Sequence, residues 1–117
     1  RVTLAGHSRG GLLSLAAAIR GSPAKSYMLF APALGNRGML EKMLGSIDRI
    51  NGSLLVMIEG SDKFSEVQEA VDRLEVALRG SRVPHKVIRY DRGGGHDLFL
   101  KPDYYWSDML DFLQNPP

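Results

Sequence analysis

The sequence predicts an α/β domain with a parallel β-sheet and helices on both faces of that sheet. Four short apolar segments, bounded by glycine, proline or charged residues, have the length of strands, and the segments between them have helical spacing of apolar residues. Strand and helix therefore alternate along the chain, which is the order that produces a parallel sheet covered by helices. The length of 117 residues fits one domain.

The four predicted strands differ in how apolar they are. The two middle strands are almost continuously apolar, as strands buried on both faces of a sheet should be. We therefore expect these two strands at the centre of the sheet. In chain order the predicted strands are Val2 to Ala5, Ser26 to Ala31, Leu54 to Glu59 and Lys86 to Tyr90.

The first two helices are predicted from apolar residues at helical spacing. The first helix follows Gly10 and Gly11 with the sequence LLSLAAAIR, which is rich in leucine and alanine, and it ends at Gly21. The second helix is indicated by apolar residues three and four positions apart, each of which would lie on one face. These residues are Met39, Leu40, Met43, Leu44 and Ile47.

The last two helices are predicted from signals at their ends as well as from their apolar faces. Ser65 and Gln68 form a capping-box pattern at the start of the third helix, and Gly80 ends it. A final helix is predicted to begin near Pro102 and Asp103 and to direct one apolar face toward the sheet. That face comprises Tyr105, Trp106, Met109, Phe112 and Leu113.

Composition limits the classes of function that the chain can have. Apolar residues make up 44% and charged residues 24% of the chain, which is typical of a globular domain, and no segment approaches the roughly 20 apolar residues that cross a bilayer. The formal net charge is +2 and the basic residues are scattered, so nucleic-acid binding has little support. The absence of cysteine excludes a disulfide framework, a thiolate metal site and a cysteine nucleophile, but leaves the cellular compartment open.

One motif carries chemistry. Residues 6–10 read Gly-His-Ser-Arg-Gly, which matches the G-x-S-x-G pattern and lies between a predicted strand and a predicted helix. The sharp turn would expose the hydroxyl of Ser8 and is expected to leave no room for side chains at Gly6 and Gly10. Ser8 would also lie at a helix N-terminus, where the N–H of Arg9 is the expected donor to an oxyanion. The competing interpretation is a glycine-rich turn without a catalytic role.

A serine nucleophile needs a histidine that accepts its proton. His96 follows the fourth predicted strand and the three glycines at 93–95. The carboxyl ends of parallel strands meet on one side, so we expect His96 on the same side of the sheet as Ser8. His85 precedes that strand and is therefore expected at the amino-terminal end of the strands, facing water. His7 is expected to point away from Ser8, beside the oxyanion site. His96 is therefore the predicted base.

The acid that orients the histidine should follow another strand, between the serine and the histidine in chain order. Asp62 meets this requirement, because it comes just after the third predicted strand in a loop that can lean toward His96. Glu59 is the main competitor, being the last residue of that strand. Asp91 is a weaker alternative, and Asp97 is too close to the histidine in sequence to be preferred.

The order of serine, acid and histidine, each at the end of a strand, resembles the α/β-hydrolase superfamily over essentially the whole chain. The segment HKVIRYDRGGGHDLF looks like the last strand and histidine loop of the dienelactone-hydrolase and prolyl-oligopeptidase-like branches, and GHSRGG is similar to the turn of chlorophyllase-like and polyester-depolymerase-like esterases. The resemblance implies that residues 1–117 are the C-terminal half of such a domain, strands five to eight. It also implies hydrolysis of a small-molecule ester, thioester or amide through an acyl-enzyme, without a cofactor.

The chain departs from the family pattern in two places. Family members commonly place the acid three residues after the strand-ending glycine, whereas Asp62 comes two residues after Gly60. This spacing leaves open another carboxylate as the acid, and also a binding or scaffolding role without catalysis. The second oxyanion donor of the family comes from a loop that would lie upstream of these residues. A peptide hydrolase is a further alternative to an esterase.

The first predicted strand begins at the second residue, so we expect the chain to be part of a longer protein. Its partner strand would then lie upstream, and the isolated chain would expose an unpaired sheet edge. We therefore expect the chain on its own to aggregate or dimerise and to have little activity. The sequence predicts neither the oligomeric state of the whole protein nor its substrate.

Overall fold

The computed structural model describes residues 2–64 and 67–117. The described residues form strands β1 (Thr3–His7), β2 (Ser26–Phe30), β3 (Ser53–Glu59) and β4 (His85–Tyr90). The α-helices among them are α1 (Arg9–Ile19), α2 (Arg37–Leu44), α3 (Val67–Arg79) and α4 (Trp106–Gln114). Short 3₁₀ helices occupy Ile47–Arg49, Gly95–Leu100 and Pro102–Tyr104.

The four strands form one parallel sheet in the order β1-β2-β3-β4. The register pairs Met28 of β2 with Leu55 of β3, and Val56 of β3 with Val87 of β4. All seven residues of β3 are buried, as expected for a central strand covered on both faces. The predicted parallel sheet is therefore confirmed, with β1 and β4 at its edges.

Helices pack on both faces of the sheet. This follows from β3, whose alternate residues point to opposite faces and belong to different hydrophobic clusters. Leu54, Val56 and Ile58 belong to the larger cluster, which also includes residues of α1 and α3. Leu55 and Met57 belong to the cluster on the other face, which includes residues of α4. The sheet thus has the two covered faces that the apolar runs predicted.

Several predicted boundaries shift in the structure. β1 ends at His7, two residues later than predicted, and α2 ends at Leu44, so that Ile47 lies in a 3₁₀ helix. Ser65, the first member of the predicted capping box, lies outside the described residues. Gln68 is described, and its side-chain amide hydrogen-bonds to backbone carbonyl groups at the end of β3 and just after it.

The predicted face of the last helix is partly wrong. Tyr105 and Phe112 are buried, but Trp106 is 52% exposed and Leu113 is 39% exposed. Residues at helical spacing share a face, so Phe112 lies with Met109, whereas Leu113 is turned about 100° around the helix. Within the described ranges, every helix is too short or too polar to span a membrane.

Candidate active site

Ser8 lies between β1 and α1 in a strained backbone conformation. Its φ is 56° and its ψ is −113°, in a region that residues other than glycine rarely adopt. The surrounding chain holds it there, because the N–H of Ser8 donates to the carbonyl of Phe30 at 2.9 Å. The carbonyl of Ser8 accepts hydrogen bonds from the N–H groups of Gly11 at 3.0 Å and Ala33 at 2.9 Å. The end of β2 and the segment after it therefore fix the turn that presents Ser8.

The two glycines of the motif are not equivalent. A Cβ on Gly6 would lie 2.1 Å from the carbonyl oxygen of Gly10, so the turn requires glycine at position 6. A Cβ on Gly10 would meet no described atom within 4 Å, and the expected clash at Gly10 is therefore wrong. The reason is that Gly10 already belongs to the first turn of α1, where a side chain would extend into open space. The close approach on the helix side occurs at Gly11, whose Cβ would lie 2.8 Å from that of Pro32.

Ser8, His96 and Asp62 form a continuous series of hydrogen bonds. The Oγ of Ser8 lies 2.8 Å from Nε2 of His96, and Nδ1 of His96 lies 2.7 Å from Oδ2 of Asp62. With Asp62 ionised, Nδ1 carries the proton and donates a hydrogen bond to the carboxylate. Nε2 then has a free lone pair and accepts a hydrogen bond from the serine hydroxyl. The two weaker acid candidates, Asp91 and Asp97, are exposed.

The carboxylate of Asp62 is fixed by its own loop. Its side chain is fully buried, and its second oxygen, Oδ1, accepts the N–H of Phe64 at 2.8 Å. The side-chain amide of Gln68 donates to the carbonyl oxygens of Glu59 at 2.7 Å and of Asp62 at 3.1 Å. These bonds hold the short loop after β3 so that Asp62 faces His96.

Glu59, the competing acid, does not contact His96 through its carboxylate. Its carboxylate is buried and accepts the backbone N–H groups of Ser61 at 3.2 Å, Arg92 at 3.1 Å and Gly93 at 3.3 Å. Burial by itself raises the pKa of Glu59, but the hydrogen bonds from Arg92, Ser61 and Gly93 outweigh it and hold the pKa below its ordinary value. Glu59 is therefore an ionised anchor for the chain after β4.

The segment before His96 bends sharply at residues 92–95, which we call the glycine loop. Gly93, Gly94 and Gly95 have φ values of 77°, 88° and 58°, which side chains would strain at all three positions. His96 then lies in the 3₁₀ helix Gly95–Leu100, which the sequence analysis did not predict. A residue with a Cβ would be strained at each of these positions, and glycine avoids this strain at all three positions before the histidine.

Arg9 follows Ser8 at the start of α1, as predicted, whereas His85 belongs to β4 and is half-buried instead of preceding the strand and facing water. The N–H of Arg9 is at the first position of α1, where an amide has no acceptor within the helix, and its side chain is exposed. His85 lies at the start of β4, at the amino-terminal end of the strands, whereas Ser8 lies at their carboxyl end. Nδ1 of His85 is 2.8 Å from the carbonyl oxygen of Val83. Among residues 2–64 and 67–117, no three His, Cys, Asp or Glu side chains cluster as metal ligands would.

Known structures share this arrangement of strands and helices. A protein assigned as a dienelactone hydrolase in Klebsiella pneumoniae subsp. pneumoniae matches 98% of this chain over 52% of its own, with a TM-score of 0.78 at 18% identity. The dipeptidyl peptidase 4 of Porphyromonas gingivalis matches 98% of this chain over 19% of its own, with a TM-score of 0.77 at 17% identity. A dienelactone hydrolase-like promiscuous phosphotriesterase from metagenomic libraries matches 97% over 52%, with a TM-score of 0.75 at 20% identity.

The chain has the fold of the C-terminal half of an α/β-hydrolase. It spans about half the length of the two dienelactone-hydrolase-type proteins that it matches. Esterases are among the other matching structures. No family model and no curated protein matches the chain by sequence.

In the α/β-hydrolase fold, β1 to β4 are the fifth to eighth strands. Ser8 follows the fifth strand, Asp62 the seventh and His96 the eighth. Asp62 comes one residue earlier after Gly60 than the family pattern leads one to expect. Its carboxylate nevertheless lies within hydrogen-bond distance of the imidazole, so the shorter spacing does not separate the two groups.

Two further residues contact His96 and were not assigned to it by sequence reasoning. Nε2 of His7 lies 3.0 Å from the carbonyl oxygen of His96, and the two imidazole centroids are 4.9 Å apart. The ring of Phe64 stacks on the imidazole of His96 with centroids 4.7 Å apart. The sequence analysis placed His7 only beside the oxyanion site. The sequence carries no signal for these contacts, because they join loops that only the fold brings together.

Proposed function

We propose that this chain carries the catalytic residues of a serine hydrolase that cleaves an ester of a small molecule through an acyl-enzyme. The observation that carries the proposal is the series of hydrogen bonds from Ser8 through His96 to Asp62, at 2.8 and 2.7 Å. Each residue has the geometry that its role requires: a nucleophile on a sharp turn, a base within reach of its proton and an acid that orients the base.

In the first half of the reaction, Oγ of Ser8 attacks the carbonyl carbon while Nε2 of His96 takes the hydroxyl proton. The carboxylate of Asp62 stabilises the imidazolium that forms and keeps the ring in the correct tautomer. The tetrahedral oxygen becomes negatively charged and accepts the N–H of Arg9 at the start of α1. The imidazolium then gives its proton to the leaving alkoxide, and the acyl-enzyme remains on Ser8.

In the second half, a water molecule replaces the alcohol. Nε2 of His96 removes a proton from the water as its oxygen attacks the acyl carbon, and the tetrahedral oxygen again accepts the N–H of Arg9. Collapse of this species breaks the bond to Ser8, which recovers its proton from the imidazolium. The carboxylic acid is released and the free enzyme is restored, so the cycle consumes only the ester and water.

The position of Asp62 supports catalysis over a scaffolding role. Its short spacing from Gly60 was the feature that favoured a binding protein without catalysis. The carboxylate is buried, is held by the N–H of Phe64 and lies 2.7 Å from the imidazole. This is the position that an acid must have to orient a catalytic histidine. The similar folds include one peptidase, dipeptidyl peptidase 4, but more esterases and dienelactone-hydrolase-type proteins, and this balance favours ester cleavage over peptide cleavage.

A fluorophosphonate probe tests the proposal on the full-length protein. The wild type is expected to be labelled at Ser8, as located by mass spectrometry of the modified peptide, and Ser8→Ala is expected to lose both labelling and ester hydrolysis. Ser107→Ala, which removes an exposed serine of α4, is the matched control and should label as the wild type does. Ester hydrolysis at the wild-type rate in Ser8→Ala would refute the assignment.

The pH dependence of labelling separates catalysis from binding. A working histidine base gives a rate that rises with pH through the range in which imidazole loses its proton. We expect this rise in the wild type and its loss in His96→Gln. A flat profile in the wild type would instead support a hydrolase fold used for binding. Parallel assays with ester and peptide substrates separate an esterase from a peptidase.

A further inference from the structure

Glu59 is a buried carboxylate that the proposed reaction does not use. It is the last residue of β3 and its exposed fraction is 0%, and such a group is costly to bury unless it is hydrogen-bonded. Its two oxygens accept four hydrogen bonds. Two come from the N–H and the hydroxyl of Ser61, both at 3.2 Å. The other two come from the N–H groups of Arg92 at 3.1 Å and Gly93 at 3.3 Å.

These bonds hold both ends of the glycine loop. The carboxylate binds the start of the loop directly, through the N–H groups of Arg92 and Gly93. It binds the end indirectly, because Oγ of Ser61 donates to the carboxylate and accepts the N–H of Gly95 at 3.0 Å. His96 is the next residue along the chain.

The glycine loop needs anchors of this kind. Three consecutive glycines have no side chains to pack and the largest conformational entropy to lose on ordering. Catalysis, in contrast, requires the imidazole of His96 to stay within hydrogen-bond distance of both of its partners, and a displacement of about 1 Å at an active site can cost about a hundredfold in rate. An ionised acceptor with four donors is a strong fixed point for such a loop.

We propose that Glu59 is a positioning residue, whose carboxylate fixes the glycine loop and thereby holds His96 between Ser8 and Asp62. This inference rests on the proposed function for its effect on rate. Glu59 does not touch the reacting atoms and acts only through the backbone of the loop and through Ser61. It is thus a second acid of the site, with a role distinct from that of Asp62.

The test compares Glu59→Gln, Glu59→Ala and Ser61→Ala with the wild type in the full-length protein. The fluorophosphonate labelling rate is measured per folded molecule, together with the thermal midpoint and the downfield proton NMR signal of Nδ1–H in His96. We expect Glu59→Ala to label about 10- to 100-fold more slowly and to weaken or shift the NMR signal. Glu59→Gln keeps one acceptor oxygen but opposes an amide group to backbone donors, so its effect should be intermediate.

Leu78→Ala is the control for lost stability. Leu78 is fully buried in α3 and outside the glycine loop, so its truncation should lower the thermal midpoint without changing the labelling rate per folded molecule. A purely structural role of Glu59 would make its variants behave in the same way as this control. Positioning predicts instead a loss of rate in variants that remain folded.

The outcomes distinguish this inference from the proposed function. Wild-type labelling at Ser8, with unchanged rates in Glu59→Gln and Ser61→Ala, would overturn the positioning role and leave the function intact. Absence of labelling in the wild type would contradict the function. The NMR signal of His96 then still tests the positioning role, which an unchanged signal in folded Glu59→Gln would overturn. Glu59→Gln and Ser61→Ala keep the test decisive if Glu59→Ala fails to fold.

Discussion

Replacing Gly6 with alanine should destabilise the turn that presents Ser8. The added Cβ would lie 2.1 Å from the carbonyl oxygen of Gly10 and 2.8 Å from the amide nitrogen of Gly11. Overpacking usually costs about 1–3 kcal/mol, and because both obstacles here are backbone atoms that cannot rotate away, we expect at least about 3 kcal/mol. At about 2–4 °C per kcal/mol for a domain of about 150–250 residues, the thermal midpoint of the full-length protein should fall by roughly 6 °C or more.

Gly10→Ala is the matched control, because both glycines belong to the G-x-S-x-G motif but only Gly6 lies where a Cβ would clash. Its Cβ would meet no described atom within 4 Å, and alanine in place of glycine inside a helix stabilises by about 0.5–1 kcal/mol. Urea or thermal unfolding of both variants measures the difference, and fluorophosphonate labelling reports whether Ser8 is still presented. A loss of stability in Gly10→Ala as large as that in Gly6→Ala would refute this steric interpretation.

Three further perturbations have defined outcomes. Asp62→Asn should slow labelling of the full-length protein roughly a thousandfold or more with little change in thermal midpoint, since the amide no longer holds the imidazole in the reactive tautomer; a rate within tenfold of the wild type would point to another acid. Asn36→Ala should lower the free energy of unfolding in urea by about 1 kcal/mol, because Oδ1 of Asn36 accepts the N–H of Met39 at 2.8 Å at the start of α2. Asn51→Ala, at an exposed position, is the control and should stay within about 0.5 kcal/mol of the wild type. The hydrogen bonds that lower the pKa of Glu59 below 4.5 stabilise the fold fully above the unfolded-state pKa, and this stability is lost as pH falls through the folded-state pKa. The difference in thermal midpoint between the wild type and Glu59→Gln should therefore be largest near neutral pH and smaller in acid. A difference that does not change with pH would contradict this.

Local pattern was enough to predict most of the fold. The apolar runs predicted a parallel sheet with two buried central strands, and all residues of β3 are buried. The prediction worked because a strand covered on both faces must be apolar at every position. It was less accurate for the last helix, since an apolar residue such as Trp106 is compatible with either an exposed or a buried position near a helix end.

The same pattern over-predicted at the glycine motif. G-x-S-x-G suggests equal steric needs on both sides of the serine, but of its two glycines only Gly6 would bring a Cβ within clashing distance of described backbone atoms. The difference depends on how the strand leaves the turn and how the helix enters it. No local composition encodes that geometry, because it is set by the bonds between Ser8 and the segment that ends β2.

The sequence by itself determined the order of strands and helices, the position of Ser8 on a sharp turn and the placement of His96 after the last strand, because each depends on residues close together in the chain. Only the tertiary structure separated the two carboxylates at the end of β3. Asp62 reaches an imidazole 34 positions away, while Glu59 turns to the glycine loop. Two acids three residues apart acquire different roles because the loops that surround them come from distant parts of the chain, and only folding fixes which donors each carboxylate meets.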